Sequence, residues 1–379
     1  MPVVERYIFR DGLLTFLASL AVLTGTIWVT QALREVDLLT NKGQTLLIFL
    51  HLTLLTIPSL VMILAPVALL IAVIFTLNRL NGDSELVVMS SAGMSPARLM
   101  RPFVWLSCIV LVLVALMSLW IMPASFRTIR DLVSKIRTDV LTRIVREGQF
   151  ISLEKGFIFH YRERGPDGSL RGLFIQDRRE PERINTYIAE LGRTLESGKQ
   201  NYLVLEKGSV QRQTRGDRDP AVVQFERYAI DLAQFSPQGN APYKPREQLT
   251  SELIWLDMKN AFVRANAGKF RAELHDRLSS PLYALAFALI AFAALGQPRT
   301  TRQGRSLAIG GAIVAAAGAR VAGFGVSALA ARSAWAIPLI YLVPLAAIGL
   351  AMLSAVRPGW SQRLRDMIPG RQQPQAATA

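Results

Sequence analysis

Apolar residues dominate both ends of the chain, and one long polar stretch lies between them. Six apolar runs are long enough, or nearly so, to cross a bilayer as a helix, which takes about 20 residues. Three runs come before residue 125 and three follow residue 280. The pattern therefore predicts an α-helical membrane protein with six transmembrane helices. The predicted spans are 13–33, a part of 46–77, 102–122, 280–295, 307–331 and 335–355.

The central stretch, 148–249, is polar, rich in Gly and Arg, and patterned in twos. Large apolar residues alternate with polar ones in short segments, which is typical of strands with one buried face. A Gly-Pro-Asp-Gly run at 165–168 and a second polar cluster at 216–220 mark turns. Short strands with frequent turns predict a β-sandwich or an open β-jelly-roll domain inserted between the two membrane halves. The alternating residues include Phe157, Phe159, Leu203 and Phe225.

The apolar face of this predicted domain has two interpretations. In the first, the alternating side chains fill an ordinary core between the strands. In the second, the sheet does not close, and the same side chains line a groove for apolar chains. Both arrangements need the same alternation of residues, so the composition does not separate them.

A short segment between the second and third spans is the other informative part of the chain. Asp83 or Ser84 can cap a helix over 84–92, Gly93 suits its left-handed C-terminus, and the Ser-Pro pair at 95–96 is typical of the start of the next helix. A helix this short is marginal in isolation. It either docks on another protein or only caps the helix bundle. The residues of this helix that could make such contacts are Glu85, Leu86, Val87 and Met89.

Two amphipathic segments join the membrane halves to the β domain. Over 124–147 the apolar residues recur at helical spacing, and this helix either continues the third span out of the bilayer or lies along its surface. The pattern over 250–278 is helical again, interrupted at Gly268. The predicted division is 1–123 (transmembrane helices 1–3 with the short helix at 84–92), 124–147 (connecting helix), 148–249 (β-jelly-roll), 250–278 (connecting helix), 279–356 (transmembrane helices 4–6) and 357–379 (basic tail).

The distribution of charged residues predicts how the chain is oriented in the membrane. There are 43 Lys and Arg residues against 28 Asp and Glu, for a net charge of +15. Most of the excess lies beside the apolar spans, without the interleaved aromatic residues that stack on bases, so membrane lipid explains it better than nucleic acid. Six spans place both termini on one side, where most of the short-loop and tail arginines also fall. The positive-inside rule then predicts cytoplasmic termini, a cytoplasmic helix at 84–92 and a periplasmic β domain.

Residues for intrinsic chemistry are scarce. The one cysteine, Cys108, lies in an apolar run, and the histidines His51, His160 and His275 are scattered over a span, a strand and a helix. Neither a disulfide framework nor a metal site is therefore expected. The sequence also lacks a glycine-rich phosphate loop and a His-Glu-x-x-His motif. We expect no catalytic residue, no metal and no cofactor, so energy for any work must come from a partner or an ion gradient.

Three spans, a β domain and three further spans resemble the LptF/LptG family, the permease subunits of the lipopolysaccharide-export ABC transporter. The resemblance lies in Arg-Tyr at 6–7, Ser-Glu-Leu-Val-Val-Met at 84–89 followed by Ala-Gly at 92–93, and Arg-Ala-Glu-Leu-His-Asp-Arg-Leu at 271–278. It covers essentially the whole chain up to the tail. The Arg-Gln-Gly-Arg loop at 302–305 is more similar to the LptF branch than to the LptG branch.

The resemblance implies a multi-pass protein of the bacterial inner membrane that works with three kinds of partner. The 84–92 helix would enter a groove on a cytoplasmic LptB-like ATPase dimer, with Glu85 as the key acidic contact. Spans one and five would form a gate against an LptG-like sister permease. The β domain would join a matching sheet on a bitopic LptC-like adaptor. The implied ATPase-coupling residues are Ser84, Glu85, Leu86, Val87 and Met89.

The resemblance also implies contacts with lipopolysaccharide itself. Arg34, at the outer end of span one, matches a basic position that meets the phosphorylated headgroup, and a guanidinium fork suits phosphate. The β domain would pass the acyl chains onward. The implied acyl-chain contacts are Phe157, Phe159, Leu203 and Phe225.

Two functions from different classes follow. The first is a non-hydrolysing permease subunit that extracts lipopolysaccharide from the inner membrane and passes it to a periplasmic β-jelly-roll bridge toward the outer membrane. The alternative is a membrane-anchored scaffold that binds a periplasmic partner through its β domain and transports nothing. A scaffold does not need a capped apolar helix in its cytoplasmic loop, so the 84–92 helix is the feature that distinguishes them.

Overall fold

The computed structural model describes residues 3–34, 46–143, 147–154, 156–178, 183–197, 200–214, 221–231, 242–297 and 302–356. The chain divides into two compact units. Among the described residues, the helical unit comprises those at 3–34, 46–127 and from 243 onward, and the β unit comprises those at 128–242. The predicted fold class, a helical membrane protein with an inserted antiparallel β domain, is confirmed. The predicted basic tail and most of the loop after the first span lie outside the described residues.

The helices occur in two groups, before and after the β strands. The first group is α1 (Val3–Arg34), α2 (Leu46–Leu54), α3 (Ile57–Gly82), α4 (Glu85–Ser91), α5 (Pro96–Leu116), a π-helical turn (Met117–Ile121) and α6 (Met122–Arg143). The second group is α7 (Thr250–Ile254), α8 (Ala261–Ala265), α9 (Ala267–Ser279), α10 (Leu282–Leu295), α11 (Arg302–Arg332) and α12 (Ile337–Val356), with 3₁₀ turns at Pro245–Glu247 and Ala334–Ala336.

Within the described residues, five helices are long and apolar enough to cross a membrane, and a sixth span forms if α9 and α10 are taken together. These two helices are bent by 48° at their junction. The bend falls at Ser280 and Pro281, and the proline has no N–H to continue the helical hydrogen bonds. The predicted fourth span therefore corresponds to α10, and α9 enters it at an angle.

The region 250–278, predicted as one connecting helix with an interruption at Gly268, is divided further in the structure. It contains three helices, α7, α8 and α9. The side chain of Asn260 accepts a hydrogen bond from the N–H of Phe262 and so caps α8, and Asn266 is the residue at which α8 ends and α9 begins. Asparagine favours such helix ends because its side chain bonds to nearby backbone groups, so the helix is divided where these residues occur.

The core of the helical unit forms around α3. Its buried residues include Ala65, Ala68, Leu69, Ala72 and Val73, which recur at helical spacing. Helix α10 is buried almost all round, and its alanines, which allow close helix packing in lipid, are interspersed with buried large residues such as Phe287 and Phe292. A polar contact also ties α1 to α3. The Arg79 guanidinium lies 2.8 Å from Asp11 and 2.9 Å from the Tyr7 hydroxyl.

The β unit contains one antiparallel sheet of seven strands. They are β1 (Ile151–Glu154), β2 (Phe157–His160), β3 (Glu163–Arg164), β4 (Leu170–Asp177), β5 (Arg183–Ser197), β6 (Gln200–Thr214) and β7 (Ala221–Asp231). The path through the sheet is β1-β2-β4-β5-β6-β7, and β3 pairs with β4. Neighbours in the sheet are consecutive in the chain except for β2 and β4, which pair although β3 lies between them in sequence.

One face of this sheet carries the core of the β unit. Its buried residues alternate along the strands, and Phe159 on β2 is aligned with Ile175 on β4. The pairing is interrupted at Gly172 on β4 and at Lys207 on β6, and both have a left-handed backbone with φ of 63° and 52°. These two positions lie opposite Glu190 on the intervening strand, so they form one crease across the sheet.

A tight turn joins β3 to β4. One Asp167 carboxylate oxygen accepts hydrogen bonds from the Ser169 hydroxyl at 2.6 Å and from the Ser169 N–H at 3.2 Å, while Gly168 adopts a φ of 79°. The bonds from Ser169 stabilise the charged carboxylate and lower the pKa of Asp167 below its usual value. The predicted Gly-Pro-Asp-Gly turn is confirmed.

Candidate functional site

The short helix α4 lies between two long membrane helices and is fixed at both ends. At its C-terminus Gly93 has a φ of 80°, and the N–H of Met94 donates to the Met89 carbonyl at 3.1 Å, as in a Schellman motif. The Ser95 side chain then accepts from the N–H of Arg98 and caps α5, as predicted. Ser84 differs from its prediction, because it has a φ of 59° and its side chain makes no capping bond.

The residues of α4 divide between an inner and an outer face. Leu86 is 2% exposed and belongs to the core of the helical unit, and Met89 packs against that core. Val87 and Val88 are 43% and 65% exposed, and Glu85 is half-buried. The helix is therefore held by Leu86 and Met89 and presents its valines outward.

Val88 is the most exposed large apolar residue of α4, and it was not among the predicted contact residues. The stretch 86–89 is apolar throughout, so its periodicity gives no indication of which side chains turn inward.

A hydrogen bond just before α4 connects this region to the helix bundle. Asn81 is buried, and its side-chain amide donates to the Leu295 carbonyl at the end of α10, at 3.1 Å.

Arg34, the predicted headgroup contact, is the last residue of α1 and is exposed. A basic residue in the last turn suits the negative end of the helix dipole. Its side chain is thus available to an anion, and the residues that follow it lie outside the described part of the chain.

The four predicted acyl-chain contacts come together on one face of the β unit. Phe157, Phe159 and Leu203 are at most 3% exposed and belong to the buried cluster, and Phe225 is half-buried at its border. Here they fill a core, which is the first of the two interpretations of the alternating pattern. A lipid chain could reach these side chains only after the covering residues moved.

A cleft of about 940 Å³ follows the crease of the β unit. Ile188 and Phe225 form apolar parts of its wall. Gly172 allows the Arg162 side chain to cross the strand closely, since an added Cβ would lie 3.0 Å from that of Arg162. The charged residues that line the cleft are Arg162, Glu163, Arg171, Glu190, Lys207 and Glu226. Its mixed charges set it apart from the apolar core.

Arg277 is a functional-site candidate that the sequence analysis did not single out. It is fully buried, and its Nε lies 3.0 Å from the Glu273 carboxylate. Its remaining donors bond to the carbonyls of Gln248, Pro245 and Arg246 and to the Thr250 hydroxyl, at 2.9 to 3.2 Å. A single guanidinium thereby fixes the segment before α7 onto α9.

The π-helical turn joins the same assembly. The hydroxyl of Ser118, in that turn, donates to the Arg277 carbonyl at 3.1 Å, and the Thr250 hydroxyl donates to the Leu119 carbonyl. Single π turns occur often at functional sites. The motif at 271–278 contains Arg277. The residues that bind its two terminal nitrogens, however, lie 27 to 32 positions away in sequence.

Arg320, for which the sequence suggested no role, lies within α11. Its guanidinium carbon lies 4.6 Å from the centre of the Tyr283 ring and 4.4 Å from that of Phe324. Such stacking offsets part of the cost of a cation at this depth. Arg320 therefore connects α11 to α10 through an aromatic face.

In the described part of the chain, no group of three or more His, Cys, Asp or Glu side chains could hold a metal ion. The candidate site is instead a set of features: a short helix closed at its C-terminus, an exposed arginine at the end of an apolar helix and a largely buried apolar face in the β unit. These features and the five or six apolar helices define a multi-pass membrane protein with a β domain inserted in its chain.

Comparison with known proteins identifies the family. The profile of the family described as "Lipopolysaccharide export system permease LptF/LptG" matches residues 6–357. The chain is 22% identical over 314 residues to "Lipopolysaccharide export system permease protein LptF" of Escherichia coli (strain K12), with 81% of each chain covered. It is 23% identical over 299 residues to "Uncharacterized protein RP871" of Rickettsia prowazekii (strain Madrid E), covering 77% of this chain and 81% of the relative.

The chain belongs to the LptF/LptG family of lipopolysaccharide export permeases. It is accordingly a multi-pass protein of the inner membrane and a permease component, not itself an enzyme. The recognition made from the sequence motifs is confirmed at the level of the family.

Proposed function

We propose that the chain is a non-hydrolysing permease subunit of an ABC transporter. It would extract lipopolysaccharide from the inner membrane and pass it to a periplasmic β-jelly-roll bridge toward the outer membrane. The observation that carries the proposal is α4, which Leu86 anchors in the bundle while Val87 and Val88 stay exposed. A rigid base with an exposed apolar surface suits a helix that transmits force from a docked protein.

The proposed partner at α4 is a cytoplasmic LptB-like ATPase dimer, which supplies the ATP hydrolysis. Glu85 begins the helix, where a carboxylate is favoured by the helix dipole and can pair with a basic groove. We place Ser84, Leu86, Val87 and Met89 around this contact, with Leu86 and Met89 acting as supports, and we add Val88. The termini and α4 are cytoplasmic in this proposal, and the β unit is periplasmic.

The proposed sister permease is LptG-like, and we assign this chain to the LptF branch. Support for a gate formed by spans one and five comes from the outward apolar surfaces of α1 and α11. Leu14 and Val22 on α1 are 58% and 66% exposed, and Val314 and Val321 on α11 are 72% and 68% exposed. These apolar side chains must be covered by lipid or by another helix. In a gate, the sister permease would cover them in the closed state and lipid in the open state.

The lipid path would begin at Arg34 and continue through the β unit. Arg34 is exposed at the end of α1 and would bind a phosphate of the headgroup. Phe157, Phe159, Leu203 and Phe225 would contact the acyl chains when the face that they fill opens. A bitopic LptC-like adaptor would extend the β unit by pairing with an edge strand.

The α4 proposal can be tested in the purified complex with its ATPase. Glu85→Arg and Val88→Asp should each weaken association with the ATPase and lower ATP-driven release of lipopolysaccharide. Glu85→Arg reverses the charge of the proposed acidic contact, and Val88→Asp places a charge in the proposed apolar contact. Asp83→Arg is the matched control, since it makes the same charge change just before the helix. Full association and release in both α4 variants would overturn the proposal and favour the scaffold.

A further inference from the structure

The segment from Thr250 to Asn266 has two apolar faces. One face is packed, since Leu253 and Val263 are buried together with Phe270 of α9. The other face is uncovered and carries four large side chains within nine positions. They are Ile254, Trp255, Met258 and Phe262, with exposed fractions of 58%, 84%, 50% and 37%.

The position of this segment relative to the spans is fixed by α9. An added Cβ at Gly268 would collide with the backbone carbonyl of Ala331, the penultimate residue of α11. Ala272 of α9 packs with Ala330 in the same cluster. The beginning of α9 thus lies beside the end of α11. Helix α11 has 31 residues, or about 46 Å at 1.5 Å per residue, so it outlasts a hydrocarbon core of about 30 Å.

Two further exposed tryptophans lie next to residues that α9 or Thr250 contacts. Trp335, in the 3₁₀ turn after α11, is 72% exposed, and its neighbour Ala336 packs in the cluster that contains Ala272 of α9. Trp120 is 62% exposed, and the carbonyl of its neighbour Leu119 accepts a hydrogen bond from the Thr250 hydroxyl. Trp255 thus belongs to a region of the chain whose contacts lie beside two other exposed tryptophans. Tryptophan concentrates at the membrane interface because its ring is apolar and its N–H is polar.

The charges around the uncovered face fit a lipid surface. Lys259 lies among the apolar residues, Arg264 follows them, and both are exposed. The nearby Asp257 is engaged by the backbone, accepting from the N–H of Lys259 at 3.0 Å. Basic residues close to a bilayer are attracted to anionic headgroups. Exposed apolar residues with basic residues close beside them are typical of segments that lie in the membrane interface.

We propose that residues 254–262 form an interfacial membrane anchor, in which Ile254, Trp255 and Met258 insert into the boundary between headgroups and acyl chains. The anchor would fix the level at which α9 approaches the fourth span. It depends on the membrane location of the chain and not on the proposed transport, so either proposal can fail without the other.

The test uses site-directed spin labels on the full chain in nanodiscs that contain anionic lipid. In a Cys108→Ala background, labels are attached in the variants Trp255→Cys and Met258→Cys. Val314→Cys, exposed in the middle of α11, is the lipid control, and Arg193→Cys, exposed in the β unit, is the water control. The measurement is the ratio of collisions with oxygen, which dissolves in lipid, to collisions with a water-soluble nickel complex.

The expected ratio at both positions lies between those of the two controls, shifted well above the value at Arg193→Cys. A ratio equal to the water control would show a solvated segment and overturn the proposal. Exclusion of both reagents would show that protein covers the face, and this too would overturn it. Because both substituted side chains are exposed, the variants are not expected to disturb folding.

Discussion

Arg277 and Glu273, one turn apart on α9, form a 3.0 Å ion pair in which the two side chains are only 1% and 16% exposed. The guanidinium makes four further hydrogen bonds, three to backbone carbonyls and one to the Thr250 hydroxyl. Its five N–H donors are therefore matched by five acceptors. The α9 helix and the segment 245–250 consequently behave as one assembly at the entry to the fourth span.

We predict that Arg277→Met destabilises the helical unit by about 3–5 kcal/mol, the usual cost of removing one partner of a buried pair. The substitution leaves the Glu273 carboxylate and several carbonyls without donors. The measurement is the thermal unfolding of the purified chain in detergent.

Arg264→Met is the control for this substitution, because Arg264 is exposed on α8. A surface change of this kind usually stays within about 0.5 kcal/mol. Equal melting temperatures for the two variants would show that the buried network contributes nothing to stability.

The sequence predicted the helix boundaries near α4 well because their signals are local. Gly93 and the Ser-Pro pair at 95–96 each act within a few residues, and both behave as expected. The inward turn of Leu86 and the role of Arg277 were not predictable in this way. Both depend on contacts with residues far away in the chain, which no local pattern records.

The β unit provides a packing test at Gly208. An added Cβ there would meet the Ile188 carbonyl and lie 2.7 Å from the Phe225 ring. Gly208→Ala should therefore lower the free energy of unfolding by about 1–3 kcal/mol, as overpacking does. Ser209→Ala, at the next position of the same strand, is the control in a thermal melt. A Gly208→Ala melting temperature at or above that of the control would contradict the close approach.

A pH-dependent effect is expected at Asp167. Its pKa is lowered in the folded chain, so its contribution to stability is present above the unfolded pKa of about 3.9 and is lost as the pH falls through the lower folded value. Asp167→Asn should reduce the melting temperature at pH 7, and the difference from the unchanged chain should shrink toward pH 3. A gap of the same size at both pH values would rule out titration of Asp167 as its cause.

The strand predictions show the same division between local and distant effects. The turn at 165–168 was predicted because its residue types are a local signal, and β4 begins just after it, at Leu170. The crease at Gly172 and Lys207 was not predicted, since a left-handed lysine within a strand leaves no compositional signal. Whether the apolar face is filled also depends on how the sheet curves, which is a property of all its strands together.

The last prediction concerns the lipid path through the β unit. If the apolar face opens during transport, a photo-reactive side chain at Leu203 should cross-link lipopolysaccharide in the complex with its ATPase. Leu203 is 1% exposed in the closed face, so the cross-link should depend on ATP. The control position is Val223, which is 59% exposed and accessible without any opening. Absence of cross-linking at Leu203 in the presence of ATP would show that this face remains a filled core. Equally strong cross-linking without ATP would show that lipid reaches the face without an ATP-dependent opening.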